Sequence, residues 1–176
     1  MMARPIIIDA NCFKTCYNEI IAGAKGLGSE LLDLIFVDDF IGLDEGGIIL
    51  QQWSACCCGE EDEFFKEWIS NRIVEDKIRH HPTRANAHLK KKLRVELGFP
   101  AKDVIYILLG VGISAFMIVS EDIGFYEPRA KTWTSQKRTE LITRMAGCVC
   151  EHMRKYFDVT ICSLRQAVSN LEIRSS

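Results

Sequence analysis

The sequence predicts an α/β fold built on a parallel sheet, and three observations carry that expectation. Ile6-Ile7-Ile8 and Ala115-Phe116-Met117-Ile118-Val119 are apolar runs without polar alternation, as in strands buried on both faces. Segments of helical periodicity separate them, and strands alternating with helices imply right-handed crossovers. The chain has 176 residues, 48% of them apolar, enough for one domain with a sizeable core.

The elements follow in order. Pro5-Ile6-Ile7-Ile8-Asp9 is the first strand. Residues 11–22 read as a helix, with Phe13, Cys16, Tyr17, Ile20 and Ile21 on one face and Gly23 and Gly26 as stop signals. Ser29 caps a second helix through Leu31, Leu32, Leu34 and Ile35. A short strand runs from Phe40 to Leu43, and Gly46-Gly47 marks a turn. Ile48 to Cys57 and Glu60 to Asp76 are helical, the latter with a stripe of Phe64, Phe65, Trp68, Ile69 and Ile73. His80 to Asn86 reads as a loop. Residues 87–97 form a basic amphipathic helix ending at Gly98, and Pro100 opens the next, which Gly112 ends. After the strand at 115–119, one long helix is expected over 134–156, then a strand from Val159 to Cys162 and a short terminal helix.

Composition narrows the class. The net charge is −2, so an anionic partner must be held by a local basic patch. The eight cysteines include no C-x-x-C pair, and the four histidines are not spaced against a cysteine pair. They read as small buried residues of a reducing compartment, not as a zinc site. No run approaches the roughly 20 apolar residues of a membrane span, and the apolar run that Asp9 ends is too short for a secretory signal. A cytoplasmic protein without membrane contact is the expectation.

Both clear core strands run into acids: Ile8 into Asp9-Ala10-Asn11, and Val119 into Ser120-Glu121-Asp122. In an open parallel sheet, ligands bind beyond the carboxyl ends of the strands. Either acid alone would read as a cap. Two delivered to the same edge would repel, and a hard divalent cation relieves that repulsion with oxygen ligands. Asp103, in the first turn of the helix before the second strand, adds a third carboxylate, where it also suits the helix dipole.

These residues resemble the PIN-domain nucleases. Ile6-Ile7-Ile8-Asp9-Ala10-Asn11 is similar to that family's opening strand. The stretch from Asp103 through Val119 to Asp122, with Phe125 as a following aromatic, is similar to its carboxyl half. The resemblance covers most of residues 1–128. It implies a three-layer α/β/α sandwich and Mg2+- or Mn2+-dependent cleavage of RNA. It also implies Asp9, Asp103 and Asp122 as metal-binding acids and Asn11 as a substrate-orienting group. The family usually carries a glutamate on the helix after the second strand; here that helix reads Ile48-Ile-Leu-Gln51-Gln52-Trp53, with Gln52 at the expected position. The chain is then a degenerate member, a chain with an inactivating substitution, or one in which Asp44 or Glu45 supplies the missing carboxylate. The alternative role of those two acids is a solvated turn.

The whole chain is expected to be one domain, with helical elaboration at about 58–98 and an extension after 128. His88-Leu-Lys90-Lys91-Lys92-Leu-Arg94 is the densest basic run, suited to phosphates or to a solvated helix face. Arg129, Lys131, Lys137 and Arg138 form a second cluster beside Tyr126 and Trp133, and Trp133 is a candidate base-stacking residue. Lys90, Lys91, Arg94, Ser120 and Arg129, with Asn11, are the candidate substrate contacts. The expected function is a PIN-type endoribonuclease acting on single-stranded RNA. Such a protein is a bacterial toxin or defence effector, often silenced by an inhibitor or antitoxin and often a homodimer. The alternative is a degenerate PIN-like protein that binds RNA or a protein partner.

Overall fold

The computed structural model describes residues 2–57 and 62–175, with side chains to residue 173. The chain begins β1 (Pro5–Ile8), α1 (Ala10–Ala22), α2 (Leu27–Asp38), β2 (Phe40–Asp44), α3 (Ile48–Cys57), α4 (Glu63–Val74) and β3 (Ile78–His81). It continues through α5 (Ala87–Lys91), a π-helical stretch over Lys92–Glu96, a 3-10 turn at Ala101–Asp103, α6 (Val104–Gly112) and β4 (Met117–Val119). Two 3-10 turns, Ile123–Phe125 and Pro128–Thr132, lead to α7 (Ser135–Thr143), α8 (Cys148–Phe157), β5 (Thr160–Cys162) and α9 (Leu164–Ser175).

Among the described residues the strands form one all-parallel sheet of order β3-β2-β1-β4-β5. Helices flank it in a three-layer α/β/α sandwich. The chain steps outward from β1 to β2 and β3, then crosses back to β4 and β5. Right-handed crossovers therefore put α1–α4 on one face and α6 and α8 on the other. β1 lies at the centre, and Ile6, Ile7 and Ile8 are fully buried. Each such side chain contributes on the order of 1.5–3 kcal/mol.

The structure departs from the sequence-based expectations in four places. Ile78–His81 is a strand, paired with β2 from Ile41↔Ile78 to Asp44↔His81, where no element was expected before His80 and a loop was expected from His80 on. It is an edge strand, so one buried isoleucine suffices and no apolar run announces it. The helix expected over 134–156 is two helices. Met145 and Gly147 adopt positive φ between them, and a Cβ at Gly147 would collide with the Tyr126 carbonyl, which accepts from the Val149 amide at 3.0 Å. Ser29 is not the residue that begins α2; Gly26 is, and the Ser29 hydroxyl accepts from the Gly26 amide at 3.0 Å from inside the first turn. The basic helix is α-helical only to Lys91 and widens to π geometry through Glu96. The start expected for α4 at Glu60, and Cys58, lie outside the described residues. Among the described residues, Cys12, Cys16, Cys150 and Cys162 are buried free thiols.

Candidate active site

The crossing between β1 and β4 is the topological switch point of the sheet, where the two halves of the chain leave in opposite directions; in open parallel sheets this is where a ligand crevice forms, beyond the carboxyl ends of the strands. Ile8 and Val119 are paired, and the Asp9 amide donates to the Val119 carbonyl at 3.0 Å. Asp9 and Ser120 are therefore the first residues past the two strand ends.

Asp9 is only 4% exposed. It begins α1, and its Oδ1 accepts from the Asn11 amide at 2.9 Å. Its Oδ2 accepts from the Ser120 hydroxyl at 2.6 Å. Burial pushes its pKa upward, the bonds from Ser120 and Asn11 oppose that, and the charge of Asp122 adds to it. The Ser120 hydroxyl also accepts from the Asp122 amide at 3.1 Å, and the residue has no exposed surface. Ser120, expected from sequence as a substrate contact, is fully buried in the structure, and its hydroxyl holds the Asp9 carboxylate.

Asp122 is half-buried, and its Oδ1 accepts from the Gly124 amide at 2.7 Å. Asp103 ends the 3-10 turn that leads into α6 and is buried. Its pKa is pushed up to about 6, first by burial and then by the charges of Asp122 and Asp9, against the opposing pull of Lys102 and Lys131. The three acids therefore share one electrostatic field. Lys131 reaches the same place: a Cβ on Gly124 would stand 3.1 Å from Asp122 Oδ1 and 3.5 Å from Lys131 Cε.

Among the described residues, no three His, Cys, Asp or Glu side chains close on one point at coordinating range. The acids share a field without forming a bare three-ligand cage. Mg2+ keeps several waters and needs one or two direct carboxylates, so the oxygen donors and their mutual repulsion fit a hydrated divalent ion. They do not fit a dehydrated, soft-ligand site.

Gln52 lies beside this crevice with both ends of its amide engaged. Nε2 donates to the Lys102 carbonyl at 2.9 Å, and Oε1 accepts from the Tyr106 hydroxyl at 2.8 Å. Asp44 does not replace the missing glutamate. It is 1% exposed, and its two oxygens accept from the Ile48 and Ile49 amides at 2.9 and 2.8 Å, capping α3. Nor is its side chain solvated; of the two acids in that turn, Glu45 is the exposed one.

The remaining candidates differ in exposure and partners. Asn11 is exposed, and its Oδ1 lies 3.7 Å from the Cys56 thiol. Lys90, Lys91 and Arg94 are exposed along α5 and the π-helical stretch. Arg129 is exposed, and its Nη2 donates to the Glu96 carbonyl at 3.3 Å, tying the end of that stretch to the turn that carries Lys131. Trp133 is 45% exposed. Tyr126 is buried, its hydroxyl donating to the Ser120 carbonyl at 2.8 Å, and Phe125 packs edge-on against Phe99 and Tyr106. Sequence reasoning missed Lys102 and Tyr106. Their available signal was position: one residue before and three residues after Asp103 on the same turn and helix.

No known family model matches this sequence, and no curated protein matches it significantly.

Proposed function

We propose that this chain is a divalent-metal-dependent endoribonuclease of the PIN type. The observation that carries the reading is the meeting of acids at the β1–β4 switch point, where the charges of Asp9 and Asp122 both act on Asp103 and that of Asp122 acts on Asp9. When ionised together these acids repel, and Lys102 and Lys131 oppose only part of the rise in the Asp103 pKa. A bound Mg2+ or Mn2+ supplies that charge, activates a water and stabilises the leaving oxygen.

The chain's own residues supply orientation. Ser120 holds Asp9 in one rotamer, and the Asn11 amide fixes its second oxygen. Lys131, beside Asp122, is placed to meet a substrate phosphate, and the exposed Asn11 side chain to orient the ribose–phosphate backbone. Lys90, Lys91 and Arg94 extend the positive surface away from the crevice, with Arg129 at the junction. Among the described residues, no helix is long and apolar enough to cross a membrane. A cytoplasmic site of action, a toxin or defence role, an inhibitory protein partner and a homodimer belong to the same proposal.

The test is incubation of labelled single-stranded RNA with the purified protein and Mn2+, with and without chelator, beside Asp9→Asn. Metal-dependent cleavage lost in Asp9→Asn supports the reading; cleavage equal in both proteins ends it. A second reading is favoured by Gln52, an amide where the family resemblance implies a carboxylate. On that reading the protein binds RNA or a protein partner without cutting, and the same experiment shows retention of RNA with no cleavage in any metal.

A further inference from the structure

Helix α3 fastens both arms of the acidic crevice with two consecutive side chains. Trp53 Nε1 donates to the Ile8 carbonyl at 3.0 Å, and Ile8 is the residue before Asp9. Gln52 Nε2 donates to the Lys102 carbonyl at 2.9 Å, and Lys102 is the residue before Asp103. The peptides that aim two of the acids are thus pinned from one helix. Tyr106 completes the arrangement: its hydroxyl donates to Gln52 Oε1 at 2.8 Å and faces the backbone amide of Ala10, the residue after Asp9.

From this juxtaposition we infer that Gln52 is a positioning residue whose amide is required as an amide, and not the remnant of a lost metal ligand. The inference rests on the nuclease reading for its functional consequence. The chemistry of the contacts decides between amide and carboxylate. A backbone carbonyl only accepts, so the atom facing Lys102 must carry hydrogens, which fixes the orientation of the amide. Its oxygen then faces Tyr106, which donates. An ionised glutamate satisfies Tyr106 but turns an oxygen on the Lys102 carbonyl, leaving two acceptors in contact and no donor. It also adds a fourth negative charge near Asp9 and Asp103, both of which already act on Tyr106. A glutamate at 52 therefore loosens the turn that carries Asp103 instead of restoring a site.

The experiment compares the full chain with Gln52→Glu, Tyr106→Phe and Asp9→Asn. It reads melting temperature at pH 7.5 and pH 5, Mn2+ affinity by calorimetry, and RNA cleavage. Gln52→Glu is expected to melt about 4–8 °C lower at pH 7.5. That deficit is expected to shrink at pH 5, where a protonated carboxyl again donates to Lys102. Its Mn2+ affinity falls or stays level, and cleavage falls roughly tenfold or more through kcat with KM little changed. Tyr106→Phe, which keeps the ring and removes the hydroxyl, is expected to reproduce a smaller loss of Mn2+ affinity and cleavage, and it carries the test if Gln52→Glu does not fold. The inference is overturned if Gln52→Glu binds Mn2+ at least tenfold more tightly with an unchanged melting temperature, or if Tyr106→Phe matches wild type in every readout. Failure of the nuclease reading looks different: wild type and Asp9→Asn then bind Mn2+ equally and neither cleaves RNA, while the pH-dependent melting of Gln52→Glu still reports on the pinning.

Discussion

Asp44 and Asp9 occupy equivalent places in the chain, each at the end of a buried parallel strand and each at the start of a helix. At the end of β2, both Asp44 oxygens are taken by the first amides of α3, so the carboxylate finishes a helix and does no more. At the end of β1, one Asp9 oxygen caps α1 and the other is held by the serine just past β4, with the charge of Asp122 acting on it and its own charge acting on Asp103. The difference is topological. β2 is followed on its outer side by β3, reached by a crossover on the same face, so its carboxyl end is closed by the next helix. β1 meets β4 where the chain reverses direction, and the gap between the two connections lets acids from separate segments meet.

The largest expected effect separates these two aspartates by chemistry. Asp9→Asn should reduce Mn2+-dependent cleavage by about a thousandfold, the usual scale for loss of a group that acts on transition-state charge. It should also abolish the rise in melting temperature that Mn2+ gives wild type. Asp44→Asn should keep both. Its loss is in folding: an amide keeps one acceptor but turns an NH2 group toward an α3 amide. Denaturant titration should show a loss of about 2–3 kcal/mol. If Asp44→Asn erased the Mn2+ effect without destabilising the fold, the distinction between a capping and a functional strand end would be wrong.

How far the comparison was legible beforehand follows from the same physics. Three consecutive isoleucines announce β1 because only a strand covered on both faces tolerates them, and the acid that ends the run is visible with it. β3 is silent because an edge strand needs only Ile78 inside. The break between α7 and α8 is silent because it depends on Gly147 meeting the Tyr126 carbonyl, a contact between segments far apart in sequence. In the site, Asp9 and Asp122 could be read from strand ends. The duty of Ser120 could not, since it follows from the register of β4 against β1. Asp44 was misread for a related reason: a turn sequence of Asp-Glu-Gly-Gly looks solvated until α3 is seen to begin on it.

Asp103 sharpens the comparison from the stability side, with a smaller effect. Its carboxyl is held up at about 6 in the fold against 3.8 for the free group, so the folded chain binds the proton more tightly than the unfolded one. The stability associated with the protonated form is therefore fully present below about pH 4 and is lost as pH rises through 6. Ionised at pH 7.5 without metal, Asp103 costs the fold on the order of 2 kcal/mol. Asp103→Asn should accordingly raise the metal-free melting temperature at pH 7.5 and leave it near wild type at pH 3.5. Excess Mn2+ should reverse the order, because the ion favours the ionised carboxylate that asparagine lacks. A variant that gained nothing at pH 7.5 would mean the field at this crevice is already compensated, and the contrast with the end of β2 would weaken.

The smallest effect concerns where the functional region stops. The exposed face of α5 and the π-helical stretch carries Lys90, Lys91 and Arg94, and the end of that stretch is joined to the Lys131 turn through Arg129 and the Glu96 carbonyl. If RNA runs from the crevice along this surface, each side chain neutralises a phosphate and releases counterions. For a single strand, affinity then falls with salt by a logarithmic slope of about 0.7 per phosphate contacted. Replacing all three by alanine should lower that slope by about 2 and weaken binding in 50 mM salt by roughly tenfold. Cleavage at saturating RNA should be unchanged, since none of the three touches an acid of the crevice. A wild-type salt slope kept intact by the triple variant would confine the functional surface to the β1–β4 switch point and make this basic face an ordinary solvated one, no different in kind from the capped end of β2.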